Sequence, residues 1–181
     1  MTKHIAIFGA SSPKPGETDY EHAYQLGKLL ALSGCTILTG GYMGTMEAAS
    51  RGAFEAGGHT IGVTCEEIEN WRKTKANPWV KEEWKKVTLK DRLHTLVENC
   101  DAALTLPGGI GTLAEIAITW SHLQVGILSP RPLILIGSGW RTTFETLLAT
   151  QASYIRPEYR GLVTFADDVE MAYQQLLKVI A

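Results

Sequence analysis

Asp101-Ala-Ala-Leu-Thr-Leu106, Pro107-Gly-Gly-Ile-Gly-Thr112 and Leu113-Ala-Glu115 follow one another without a break, and Ile116-Ala-Ile-Thr-Trp120 continues them. The opening residues are an apolar run of strand length, and the closing ones read as an apolar helix. Between them lies a turn rich in glycine, which accepts positive φ at little cost and leaves backbone N–H groups unshielded. A strand, a glycine turn and a helix start together form an anion site. The N–H groups of the first helical turn lack partners, and the helix dipole adds partial positive charge there.

Outward from this turn the chain alternates strands and helices. Lys3–Phe8 reads as a buried strand leading into Gly9-Ala-Ser-Ser12. Tyr20–Leu32 has apolar residues at helical spacing, with Asp19 as N-cap and Gly34 as stop. Cys35–Thr39 is a second strand, Gly40-Gly-Tyr-Met-Gly44 a second glycine turn, and Thr45–Ala56 a helix closed by Gly57-Gly58. Thr60–Val63 is a third strand. The segment Thr64–Trp84 is charged, holds Trp71, Trp79 and Trp84, and reads as a loop with one helical turn around Glu66–Arg72. A short strand at Lys85–Thr88, a helix at Leu89–Asn99 and the strand Asp101–Leu106 come next. The helix Thr112 to about Leu123 follows, then a strand at Leu133–Ile136, a helix at Trp140–Thr150, a strand at Leu162–Thr164 and a helix at Asp167–Ile180. This alternation predicts one α/β domain over residues 1–181: a Rossmann-like, doubly wound, mainly parallel sheet with helices on both faces. Right-handed crossovers then bring the three small-residue loops, Gly9–Ser12, Gly40–Gly44 and Pro107–Thr112, to one edge, where open α/β sheets bind ligands.

Composition narrows the function. A net charge of −2 argues against a nucleic-acid partner held by a basic surface. No apolar run reaches the roughly 20 residues of a membrane span, and Ile5–Phe8 is too short for a signal peptide, so a cytoplasmic location is expected. Cys35, Cys65 and Cys100 form no CxxC, and Cys35 and Cys100 read as small buried hydrophobes at strand edges. The five histidines show no metal-ligand spacing, so no metal is expected; His94 and His122 read as packing or surface residues.

The loops suit a phosphate. Gly9, Ser11 and Ser12 line the first, Gly40, Gly41 and Gly44 the second, and Gly108, Gly109, Gly111 and Thr112 the third. A tight strand-to-helix turn can also need glycines for geometry alone. No lysine follows the glycines as in a Walker A motif, and no loop spells GxGxxG, so a mononucleotide or sugar phosphate fits better than ATP or a dinucleotide. Thr112 and Glu115 spell a capping box, which alone could explain the glutamate. Glu115 also lies one helical turn, about 5 Å, beyond the helix start. There a carboxylate can reach a ribose carbon while the helix start holds the phosphate, and can stabilise an oxocarbenium-like centre or activate water. Arg92 reads equally as an exposed helix arginine or as a site residue. Glu47 and Arg51, spaced i,i+4, read as a surface ion pair.

Pro107-Gly-Gly-Ile-Gly-Thr-Leu-Ala-Glu115 resembles the PGGxGTxxE signature of the Lonely-Guy (LOG) family, whose members are often labelled lysine decarboxylases. Thr39-Gly-Gly-Tyr-Met-Gly-Thr-Met-Glu-Ala-Ala-Ser-Arg-Gly-Ala53, Glu55-Ala-Gly-Gly58, Ile61-Gly-Val63 and Phe8-Gly-Ala-Ser-Ser12 agree with it, so the likeness spans residue 3 to about 125. The resemblance implies a Rossmann-like fold and a homodimer or larger homo-oligomer, with neither metal nor organic cofactor. It also implies hydrolysis of the N-glycosidic bond of a nucleoside 5′-monophosphate, a cytokinin riboside monophosphate or AMP, to free base and ribose 5-phosphate. The family's catalytic arginine and glutamate fall on Arg92 and Glu115. Relatives of this shape include nucleotide-binding carriers, among them a molybdenum cofactor carrier. The sequence departs from the family pattern at Leu93, where a lysine is usual, at Ala114, where a glutamate is usual, and at Ile110, where tyrosine is frequent.

Overall fold

In a computed structural model describing residues 2–180, seven strands form one sheet. They are β1 (His4–Phe8), β2 (Thr36–Thr39), β3 (Thr60–Cys65), β4 (Glu82–Lys86), β5 (Ala102–Thr105), β6 (Leu133–Ile136) and β7 (Thr164–Ala166), in the order β4-β3-β2-β1-β5-β6-β7. All the pairings are parallel, as the strand–helix alternation predicts. The helices are α1 (Thr18–Leu32), α2 (Thr45–Glu55), α3 (Glu66–Arg72), α4 (Leu89–Glu98), α5 (Ile110–Gln124), α6 (Ser138–Thr150), α7 (Pro157–Arg160) and α8 (Val169–Ile180). The chain builds outward from β1 to β4, then returns to the other side of β1 with β5. The carboxyl ends of β1 and β5 therefore flank the point where strand order reverses, the ligand crevice of such sheets.

Alternating residues of the central strands feed two cores. Ile5, Ile7 and Leu104 pack with Leu26 and Leu30 of α1, Ala49 of α2 and Leu176 of α8. Ala6, Phe8 and Ala103 pack with Leu96 of α4, Ile116 of α5 and Phe144 of α6. Because both faces are covered, the central strands read as continuous apolar runs. Between α1 and α2 a Cβ on Gly27 would overlap the carbonyl of Ala49, and one on Gly52 would overlap the carbonyl of Tyr24.

Several element boundaries differ from expectation. β4 is Glu82–Lys86 rather than Lys85–Thr88, because this edge strand is mostly exposed and its charged residues give no apolar alternation to read. β7 is Thr164–Ala166 rather than Leu162–Thr164, its register fixed by pairing with β6. α1 begins at Thr18 after Glu17, so Asp19 lies inside the helix and does not cap it. α5 begins at Ile110, two residues early, and α7 was not expected. Trp71 is 74 % exposed, outside any core, whereas Trp140 is buried. No helix among the described residues is long and apolar enough to cross a membrane.

Candidate functional site

The three loops meet at the crevice and are tied to one another by backbone. Leu106 N–H donates to Phe8 O, Ala10 N–H to Pro107 O (3.0 Å), and Thr45 N–H to Ala10 O (2.9 Å). The first loop, with Gly9, Ser11 and Ser12, is thus held between the second and the third. Gly41 and Gly44 take φ of +78° and +72°, which L side chains rarely adopt, and a Cβ on Gly44 would press on the backbone of Ser11. Gly40 has a different reason for being glycine: a Cβ there would overlap the guanidinium of Arg92.

The third loop separates two uses of glycine. A Cβ on Gly108 would overlap the Thr112 side chain, so packing accounts for that residue. A Cβ on Gly109 or Gly111 would meet nothing within 4 Å, and neither residue has positive φ. Geometry alone therefore explains Gly108 and not Gly109 or Gly111. Gly109 is the N-cap of α5, with no side-chain cap. The N–H groups of Ile110, Gly111 and Thr112 are the ones a helix leaves without intrahelical partners, and Ile110 is 83 % exposed.

This N-cap also removes the capping-box reading. Thr112 lies at the third helical position and Glu115 three residues further in, so the glutamate caps nothing. Glu115 instead lies on the buried stripe of α5 with Thr112, Ile116, Thr119 and Leu123, where an apolar residue is the rule. It is 8 % exposed, and among the described residues its carboxylate accepts no hydrogen bond. Burial pushes its pKa up to about 7, and the charge of Arg92 partly opposes that rise.

Arg92 is not an exposed helix arginine. It lies on the buried face of α4 beside Leu96 and Val97 and is 6 % exposed. Nε donates to Val63 O (2.8 Å) at the end of β3, and Nη2 donates to Gly40 O (3.1 Å) just beyond β2. Its guanidinium carbon stands 5.5 Å from the Tyr42 ring centroid. It makes no ion pair within 4.0 Å among the described residues; its charge acts on Glu115 through space. A buried cation with Nη1 to spare and a buried carboxyl that accepts no hydrogen bond lie at the sheet's carboxyl edge, the carboxyl one turn beyond the N-terminus of α5. Such a set can hold an anion and place a carboxylate one turn from it.

Some neighbours gave little sequence signal. Asn77 is buried, and its side-chain nitrogen donates to Gly41 O and Tyr42 O (3.1 and 2.8 Å), pinning the 64–84 segment to the second glycine loop. The Tyr42 hydroxyl both donates to Cys65 O and accepts from Cys65 N–H. Trp140 Nε1 donates to Leu106 O (2.9 Å), fixing the end of β5. A cavity of about 240 Å³ lies between Pro107 and Gly108 on one side and Gly139, Trp140 and Thr143 on the other, beside the turn. A larger apolar cavity, about 600 Å³, involves Leu133 and Thr164 at the amino ends of β6 and β7, remote from the loops. Glu47 and Arg51 do not pair: Glu47 accepts from the Tyr20 hydroxyl, and Arg51 pairs with Glu55 at 2.9 Å, also i,i+4.

A family model described as the SLOG cluster4 family matches residues 2–153. Among curated proteins, the chain is 28 % identical over 174 residues to a cytokinin riboside 5′-monophosphate phosphoribohydrolase of Mycobacterium tuberculosis, covering 93 % of this chain and 90 % of that one. It is 28 % identical over 178 residues to a protein of the same name from Rhodococcoides fascians, covering 94 % and 87 %. Among solved structures, the molybdenum cofactor binding protein of Rippkaea orientalis superposes with a TM-score of 0.79 at 26 % identity, covering 100 % of this chain and 99 % of that one.

Proposed function

The chain belongs to the SLOG cluster4 family, of Lonely-Guy type, and from that premise we propose that it is a phosphoribohydrolase, splitting a nucleoside 5′-monophosphate into free base and ribose 5-phosphate. The names of its relatives from Mycobacterium tuberculosis and Rhodococcoides fascians support the reading. The observation that carries it is Glu115: a buried carboxyl with no hydrogen-bond partner, near Arg92, one turn beyond the free N–H groups of α5.

In this reading the 5′-phosphate rests on the N–H groups of Ile110, Gly111 and Thr112 and on the Thr112 hydroxyl, with Gly109 letting the backbone come close. Arg92 has Nη1 left over after its bonds to Val63 and Gly40, and offers it to phosphate or ribose. As the bond from C1′ to the base nitrogen breaks, its electron pair leaves with the base, which takes a proton from solvent. Ionised Glu115 offsets the positive charge growing on C1′ and accepts a proton from the attacking water, which supplies the new C1′ hydroxyl.

Incubation with AMP and with N6-isopentenyl-AMP, followed by chromatography for free base, tests this. Release of base, cut by about 10²–10⁴-fold in kcat in Glu115→Gln with nucleotide affinity retained, is the expected result. The rate should fall as pH drops below about 7, because protonation removes the acting carboxylate. No base from either nucleotide, with equal binding by both proteins, overturns it.

The Rippkaea orientalis structure favours a second reading, a carrier that holds a phosphate-bearing cofactor in the same cradle. A ligand that copurifies, binds tightly and is not turned over would select this reading over hydrolysis.

A further inference from the structure

The two histidines that looked isolated in the sequence come together with a carboxylate. His94 and Glu98 stand one turn apart on α4, with Nδ1 and Oε1 3.4 Å from each other. His122, in the last turn of α5, brings its ring centroid to 5.4 Å from that of His94. One ligand atom from each of the three lies within 4.8 Å of the others. The His122 Nδ1 is shut off from solvent and has no hydrogen-bond partner. A buried ring nitrogen without a partner is costly to keep, and two imidazoles with one carboxylate are a donor set suited to a divalent transition cation.

We propose that His94, Glu98 and His122 form a binding site for a divalent cation of the zinc type, clamping α4 to α5. Tetrahedral coordination with metal–nitrogen bonds of about 2.0–2.1 Å sets ligand atoms roughly 3.3 Å apart. The ligand atoms now lie within 4.8 Å of one another, and the side chains of His94 and Glu98 are exposed enough to rotate toward a common centre. Three protein ligands leave a fourth position to water. The cluster is separate from the proposed reaction centre: His122 is seven residues along α5 from Glu115, about 10 Å of helix. Its consequence for that centre is mechanical. α4 carries Arg92 and α5 carries Glu115, so a cation joining the two helices fixes the spacing of the pair.

The test uses the full chain without a polyhistidine tag, stripped with chelator and titrated with Zn2+ in a calorimeter, with Co2+ absorption as a second readout. One equivalent should bind, and Co2+ should give the intense visible bands of tetrahedral coordination. The melting temperature should rise by about 5–10 °C at a hundredfold excess over Kd. His94→Ala and His122→Ala should each weaken binding tenfold or more. Glu98→Gln, at an exposed position, should leave the fold intact and weaken binding as well. Absence of Zn2+ binding, or binding unchanged in His122→Ala and Glu98→Gln, overturns the proposal. Base release from AMP is measured separately, so failure of the metal site and failure of the hydrolase reading are told apart.

Discussion

Glu115 binds its proton more tightly in the folded chain than in the unfolded one, and this has a measurable consequence. Its folded pKa of about 7 exceeds the ordinary glutamate value of about 4.5. Folding therefore favours the protonated form. The stabilisation is complete below about pH 4.5, is lost progressively as pH rises, and is gone above about pH 7, a difference of about 3 kcal/mol. Glu115→Gln has no such loss, so its stability relative to the natural chain should improve between pH 5 and pH 8 when both are unfolded in urea. A change of equal size in both proteins would refute the burial argument. Gly109 makes the complementary case. Nothing stands where its Cβ would go, so Gly109→Ala should cost only alanine's poorer fit at an N-cap, about 0.5–1 kcal/mol. Nucleotide binding should nonetheless weaken, because the methyl group occupies the space a phosphate needs. Binding by Gly109→Ala as tight as by the natural protein would remove the backbone cradle from the proposal. The glycine pattern was visible in the sequence, but which glycines serve packing and which leave a surface open was not.

At the scale of elements, the two glycine-bearing helices set the spacing beneath the second loop. Gly27 of α1 and Gly52 of α2 each face a backbone carbonyl of the other helix. Alanine raises helix propensity by about 1 kcal/mol, yet here the methyl group meets backbone that cannot rotate away. The overlap outweighs the propensity, so Gly52→Ala should destabilise by about 1–3 kcal/mol. At about 2–4 °C per kcal/mol this is readable by calorimetry; an unchanged or higher melting temperature would show that the helices can part. α5 is the element where sequence and structure diverged most usefully. Its apolar stripe and glycine start were legible. Its N-cap at Gly109 was not, since Thr-x-x-Glu spells a better cap than glycine on local chemistry alone. The strand end at Leu106, held by Trp140, and the bond from Ala10 N–H to Pro107 O fix the turn that leads into the helix.

Across the whole molecule, the second glycine loop is held by a segment whose sequence reads only as a charged, irregular loop. The 64–84 stretch leads into the edge strand β4 and returns Asn77 beneath the second glycine loop. Asn77→Ala removes the side-chain donations to Gly41 O and Tyr42 O and the acceptor for Trp79 N–H, while Gly41 O keeps the Asn77 backbone N–H at 2.8 Å. The expected cost is about 1–3 kcal/mol. Amide exchange should accelerate in residues 40–44 and stay unchanged at the β5–α5 turn. Equal acceleration in both loops would mean that the segment supports the fold as a whole and not that loop in particular.

The sequence by itself determined the alternation of strands and helices apart from α7, the parallel α/β class, the family and the three glycine loops. These rest on local signals: apolar periodicity, glycine where the backbone must turn or lie bare, and short motifs. It named Arg92 and Glu115 without deciding between a surface residue or cap and a site. Tertiary structure decided that neither is a surface residue or a cap, since both side chains are buried and the helix is capped at Gly109. Burial raises the pKa of Glu115, carbonyls from β3 and the second loop aim Arg92, and α4 packing on α5 brings His94 to His122. Each outcome depends on solvent exclusion and charge contributed by elements far apart in the chain, which no local pattern records.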